Sequence, residues 1–141
     1  MSWTCPDCKR TFRQTNQWHS CARVTVDDHL ENKPDFVKNI LQKLTGIVTG
    51  FGDVLVDPVK TAINFKAGAT FLSAKVKKDC LQLEFQLTRE VDEFPIYRSV
   101  RVSRARILHF AVLEDPRDID GALAKWLREA YDLISDAQRN H

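Results

Sequence analysis

Two hydrophobic periods alternate along this chain, and the switches between them mark its elements. Phe36, Ile40, Leu44, Ile47 and Val48 recur at helical spacing and place one apolar stripe on a helix. Pro34 stands where a first helical residue is favoured, and Gly50 and Gly52 supply a stop. Beyond them the period falls to two. Thr61, Ile63 and Phe65 alternate with polar neighbours, as do Leu72, Ala74 and Val76. Leu81, Leu83, Phe85 and Leu87 against Gln82, Glu84 and Gln86 make the cleanest strand pattern. Residues 67–69 and 77–79 are short connectors, which predicts antiparallel hairpins. Residues 96–113 also read as extended, with a slip at 103–106 that predicts a bulge or a turn. Val100 and Val102 share a face before the slip; Leu108, Phe110 and Val112 share one after it. Helical spacing then returns in Ile119, Leu123, Trp126, Leu127, Ala130 and Ile134, with Asp115, Pro116 and Asp118 as caps and first-turn acids.

An unbroken run of strands between two helices predicts an α+β fold: an antiparallel sheet of four or five strands flanked by an N-terminal and a C-terminal helix. Residues 34–141 form that domain, and residues 23–33 read as a polar connector. Residues 1–22 show neither period and hold too few apolar side chains for a core, so they need a staple.

Composition changes this picture little. Of 141 residues, 43% are hydrophobic and 28% charged, which suits one globular domain with a small appendage. The net charge of +2 names no partner, but its distribution is uneven. Residues 60–106 hold ten basic and five acidic side chains, whereas residues 114–141 hold four and seven. No apolar run is long enough to span a membrane, and the N-terminus lacks the apolar core of a signal peptide, so a cytoplasmic setting is expected.

The chemistry in the first segment is a metal-ligand set. Cys5 and Cys8 are separated by two residues, and His19 and Cys21 follow with one between them. A two-residue gap is the usual knuckle of a structural zinc site, in which a tight turn aims both sulfurs at one ion. His19 and Cys21 lie closer than a usual second pair, but alternate residues of an extended backbone point the same way. Four protein ligands leave no open position for a substrate, so the zinc is structural. Lys9, Arg10 and Arg13 stand near enough in sequence to offset the negative charge of three thiolates and a neutral imidazole around a dication. Free or disulfide-bonded cysteines are the plain alternative, and His29 is a substitute for His19 or Cys21. A redox pair fits less well, because the pattern places no strand before Cys5.

These residues bear a likeness to a known family. Trp3, Cys5-Pro6, Cys8, Phe12, Asn16 and His19-Ser20-Cys21 open the chain. Thr25-Val26, His29-Leu30 and Lys33-Pro34 follow, then Pro58, Lys60-Thr61, Ile63, Phe65 and Phe71, the His109 strand, and Trp126-Leu127 with Ala130-Tyr131. Together they resemble the bacterial DUF5655 family with an N-terminal zinc-finger-like extension. Lys9 departs from the pattern, which has glycine after the second cysteine. The resemblance implies zinc, an α+β order and a bacterial cytosolic setting, and it implies no reaction.

Further candidates are sparser. Lys75, Lys77, Lys78, Arg98, Arg101, Arg104 and Arg106 lie on or between strands, where an open sheet face would let them meet phosphates. Tyr97 is the best base-stacking candidate among them. Solvated strand faces explain the same residues without a partner. Lys60 suits an anion-binding residue or an exposed lysine. His109 shares the face of Ile107 and Ala111, which suits a core histidine more than a base. Asp27, Asp28 and Glu31 read as a solvated acidic group. No nucleophile elbow, phosphate-cradling glycine loop or zinc-protease helix is present.

The reading that follows is a non-enzymatic, zinc-containing binding module that meets nucleic acid or an acidic protein surface through its basic strands. The rivals are a small-ligand protein or enzyme with a pocket at Lys60 and His109, and a protein–protein adaptor.

Overall fold

The computed structural model describes residues 3–4, 11–12 and 24–139. In chain order these form strands β1 (Trp3–Thr4) and β2 (Thr11–Phe12), helices α1 (Val26–Leu30) and α2 (Asp35–Thr49), and strands β3 (Leu55–Pro58), β4 (Ile63–Ala67), β5 (Ala69–Val76), β6 (Leu81–Leu87), β7 (Ile96–Ser103) and β8 (Arg106–Leu113). A 3₁₀ turn (Pro116–Asp118) and helix α3 (Gly121–Arg139) close the chain. Strands β3 to β8 make one antiparallel sheet in the order β3-β4-β5-β6-β8-β7.

The α+β class and the helix at each end match the sequence pattern, but the sheet has six strands where four or five were expected. The additional strand is β3. It spans only Leu55–Pro58, includes a proline and shows no clean alternation. Its pairing with β4, from Leu55 opposite Lys66 to Pro58 opposite Ile63, makes it a strand. A proline at a sheet edge loses no ladder bond, because that side has no neighbour.

One face of the sheet is buried. Leu81, Leu83, Phe85 and Leu87 lie inward on β6, as do Ile63 and Phe65 on β4 and Leu72 and Ala74 on β5. They pack with Ile40, Leu41, Leu44 and Val48 of α2 and Leu123, Trp126, Leu127, Ala130 and Tyr131 of α3 in one cluster. The α2 stripe differs from the expected one at its start. Val37 is buried and Phe36 is 39% exposed, since both stand within helical reach of Ile40 and only one can face the sheet.

Two local readings also change. The expected connector contains α1, which a capping box starts: Thr25 Oγ1 accepts from the Asp28 amide, and Asp28 Oδ2 accepts from the Thr25 amide. Val26 and Leu30 pack on the core, and His29 Nε2–H donates to the Val59 carbonyl at 2.6 Å. That bond ties α1 to the turn between β3 and β4. Near the C-terminus, Asp115 and Asp118 cap the 3₁₀ turn and not the final helix. Helix α3 starts later, where Asp120 Oδ1 accepts from the Leu123 amide.

Strand β5 carries a bulge that shapes the rest. Phe65 faces Leu72 and Lys66 faces Thr70, so Phe71 is the extra residue between them. Phe71 turns inward and meets the Tyr131 ring edge-on at 5.4 Å, while Phe51 packs on the same ring at 5.7 Å. The backbone of Gly52 passes so close to the Tyr131 hydroxyl that a Cβ there would overlap it. Because Phe51 and Phe71 hold the ring, Gly52→Ala is expected to cost about 1–3 kcal/mol, the usual range for overpacking. Thermal unfolding measures this, and adding Tyr131→Phe to the variant is expected to restore part of the loss.

Candidate binding surface

Among the described residues, no helix covers the second face of the sheet, and cross-strand register orders its residues into rows. One row runs Asp57, Asn64, Ser73, Glu84, Phe110 and Arg98 from β3 to β7. A second crosses Gln86, Leu108 and Val100. A third crosses Lys75, Gln82 and Val112.

Toward β3 this face is polar and internally neutralised. Lys66 Nζ lies 2.9 Å from Asp57 Oδ2, and Lys75 Nζ lies 3.3 Å from Glu84 Oε1. Such half-exposed pairs contribute at most about 1 kcal/mol each, but they cancel charge that an anion would otherwise meet. Toward β7 the face is apolar and cationic. Strand β8 is hydrophobic on both sides: Ile107, Ala111 and Leu113 lie inward, while Leu108, Phe110 and Val112 lie half-buried on the open face. Tyr97 and Phe110 have ring centroids 6.3 Å apart, and the Arg98 guanidinium stands 5.3 Å over the Phe110 ring. Tyr97 is 58% exposed and Val102 50%.

The seven basic residues expected to act together fall into separate groups. Lys77 and Lys78 sit in the turn between β5 and β6, with Lys75 just before it. Arg104 sits in the turn between β7 and β8, flanked by Arg101 and Arg106. Antiparallel pairing puts these two turns at opposite ends of the sheet, about 20 Å apart along the strands. Arg98 lies between them on the outermost strand. The arginine group is the one adjoining aromatic rings. Phe110 was missed as a partner for Tyr97, because in sequence it reads as one more apolar residue of a buried strand. The signal was the neighbouring His109, which marks the inward face and so sends Phe110 outward.

His109 itself is fully buried and built into the core. Its Nδ1–H donates to the Ile107 carbonyl at 3.0 Å, and its Nε2 accepts from the Val91 amide at 3.0 Å. Its ring stacks on Phe85 at 5.6 Å. Both nitrogens are thus committed to backbone, leaving none for a ligand or a proton transfer. Burial holds its pKa below the ordinary value. Lys60 is exposed in the turn between β3 and β4. Asp27, Asp28 and Glu31 are exposed, as a solvated group should be. They line an open depression of about 420 Å³ with Leu30 and Lys38, whose three carboxylates give it the wrong sign for a phosphate. Cys80 is a free thiol whose pKa is pushed up by burial and by Asp79, so it stays protonated near neutral pH.

A cleft of about 280 Å³ opens between β5 and β6, where the neutralised half of the face meets the apolar side chains of β8. Their pairing ends at Leu72 opposite Phe85, and the Phe71 bulge parts the strands beyond it. Thr70, Ser73, Glu84, Gln86 and Leu108 form its walls; Phe71, Leu72 and Ile134 of α3 form its apolar base.

Among the described residues, no group of three or more His, Cys, Asp or Glu side chains is placed to hold a metal. Cys5, Cys8, His19 and Cys21 lie outside those residues. No helix among the described residues is long and apolar enough to cross a membrane.

The sequence profile of a family described as a domain of unknown function (DUF5655) matches residues 26–134. That match begins at α1 and takes in the whole sheet and most of α3. No curated protein and no solved structure matches the chain.

The burial of His109 generates a pH dependence. A neutral imidazole is required in the folded protein, so the unfolded chain binds a proton more readily. Stability is therefore full above the ordinary value of 6.5 and falls as pH drops below it toward the depressed folded value. Thermal unfolding is expected at lower temperature at pH 5 than at pH 7.5. His109→Gln, which keeps one donor and one acceptor, is expected to flatten that difference.

Proposed function

For this chain, which belongs to the DUF5655 family, we propose a non-enzymatic role: it binds single-stranded nucleic acid on the open face of β7 and β8 and carries a zinc-stapled N-terminal segment. The observation that supports this reading is the meeting of Tyr97, Phe110 and Arg98 on one uncovered face. Sequence-tolerant binders of single strands combine aromatic planes for the bases with cations along the backbone. Here Arg106, on the same face of β8 as Leu108 and Phe110, and Arg104 in the adjoining turn continue the cationic side to the end of the hairpin, whereas Arg101 pairs with Ile107 and so lies on the other face. A duplex fits less well, because the arginines follow one sheet edge and, among the described residues, no helix stands free to enter a groove.

The pocket reading anchored on Lys60 and His109 has less support. His109 gives both nitrogens to backbone, and neither residue lines the cleft between β5 and β6.

Zinc at Cys5, Cys8, His19 and Cys21 rests on the donor set. Three thiols and an imidazole are the ligands a structural zinc takes. The paired strands β1 and β2, with Trp3 opposite Phe12 and Thr4 opposite Thr11, flank Cys5 and Cys8 in sequence. A two-residue ladder is too short to persist in water without further support, and a metal would supply it.

Two measurements test this function. Binding of a labelled mixed-sequence oligonucleotide should weaken steeply with salt, since each phosphate contact releases a counterion. Arg98→Ala is expected to lower the salt slope by about one contact, and Tyr97→Ala to weaken binding at every salt concentration. Affinity that ignores salt, or no binding by the full chain, would refute the reading. Metal analysis should find one zinc per chain, lost in Cys8→Ala, with the far-ultraviolet signature of the sheet domain retained.

A further inference from the structure

We propose that the cleft between β5 and β6 receives one base of the bound strand and selects guanine through the Glu84 carboxylate. This rests on the reading of the open face given above and adds what that face discriminates.

Position comes first. Glu84 is the direct cross-strand neighbour of Phe110, one strand spacing away, or about 5 Å. Ser73 is the next neighbour on the other side of Glu84. A strand whose bases stack along Tyr97 and Phe110 thus meets the cleft at its next step. The apolar base of the cleft suits the flat face of a nucleobase, and its walls meet the edge.

The hydrogen-bonding character of those walls sets the choice. An ionised carboxylate only accepts, and Glu84 Oε1 lies 3.3 Å from Lys75 Nζ. Ser73 spends its hydroxyl proton on Asn64 Oδ1 at 2.7 Å, so toward any further partner its oxygen can only accept. The Ser73–Glu84 wall is therefore acceptor-rich. Among the common bases, guanine alone presents two adjacent donors on its pairing edge, N1–H and N2–H, which match two carboxylate oxygens. Cytosine and adenine present one amino group beside an acceptor. Uracil and thymine flank one donor with two carbonyls, which a carboxylate repels. A carboxylate on a phosphate-binding face also weakens non-specific affinity, which suits a residue that reads bases and not backbone.

The test uses the full chain and fluorescein-labelled ten-nucleotide strands, ribo- and deoxyribo-, read by anisotropy. An all-pyrimidine strand is compared with the same strand carrying one central guanine, adenine or hypoxanthine. The guanine strand is expected to bind about tenfold tighter than the pyrimidine strand, in line with one good bidentate contact. Hypoxanthine, which lacks the N2 amino group, is expected to lose most of that gain. Glu84→Gln, at a half-exposed position that the fold tolerates, is expected to bring the guanine strand to the pyrimidine level while salt-dependent binding persists. Salt-dependent binding with no guanine preference, or a preference that survives Glu84→Gln, would overturn this inference alone. Failure of every strand to bind would overturn the open-face reading with it.

Discussion

One constraint organises this protein: its sheet has a single covered side. The side chains of Leu81, Leu83, Phe85 and Leu87 are shielded by two helices lying on the same face, and a pleated strand cannot turn alternate residues the same way. Everything else follows from which residues that parity leaves outside. A slip of one residue in β6 would send four large apolar side chains into water. At about 25 cal/mol per Å² of apolar surface, the register is fixed firmly. The row that joins Glu84, Phe110 and Arg98 is therefore a direct consequence of core packing, even though none of these residues belongs to the core.

The same constraint explains what the sequence disclosed and what it concealed. The β5–β6 hairpin was legible because its alternation is clean and its connector short. Strand β3 was not, because a four-residue edge strand takes its identity from a partner and not from its own pattern. The α1 helix was hidden by its length: five residues give no periodicity, and only the Thr25–Asp28 capping pair signals it. In α2 the helix was evident but its facing was off by one position at Phe36 and Val37, since spacing alone cannot choose between adjacent candidates.

The binding surface divides in the same way. That arginines were concentrated around residues 98–106 could be read directly. That they would part from Lys77 and Lys78 could not, because it depends on which turns share an end of the sheet. His109 gave the most information of any single residue. A histidine among apolar neighbours looks chemical in a sequence, yet here it closes two backbone hydrogen bonds and stacks on Phe85. Each such bond contributes about 1 kcal/mol, whereas leaving either backbone group unmet in the core costs more. Its chemistry is spent on architecture, and its side of β8 tells which residues look outward.

The last strand of the sheet has a bearing on how copies of this molecule treat one another. Strand β7 runs eight residues without a proline, and among the described residues no strand pairs with its outer edge. An unguarded border of that length is a template for stacking identical chains edge to edge. Arg98 and Arg101 on the strand and Arg104 in the turn after it put three cations along this border against the one Glu90 carboxylate that accepts from Ser99, so a second copy approaching it meets like charge. The arginines proposed above to meet a polyanion thus also oppose edge-to-edge stacking of copies, and a substitution that neutralised them would bear on both.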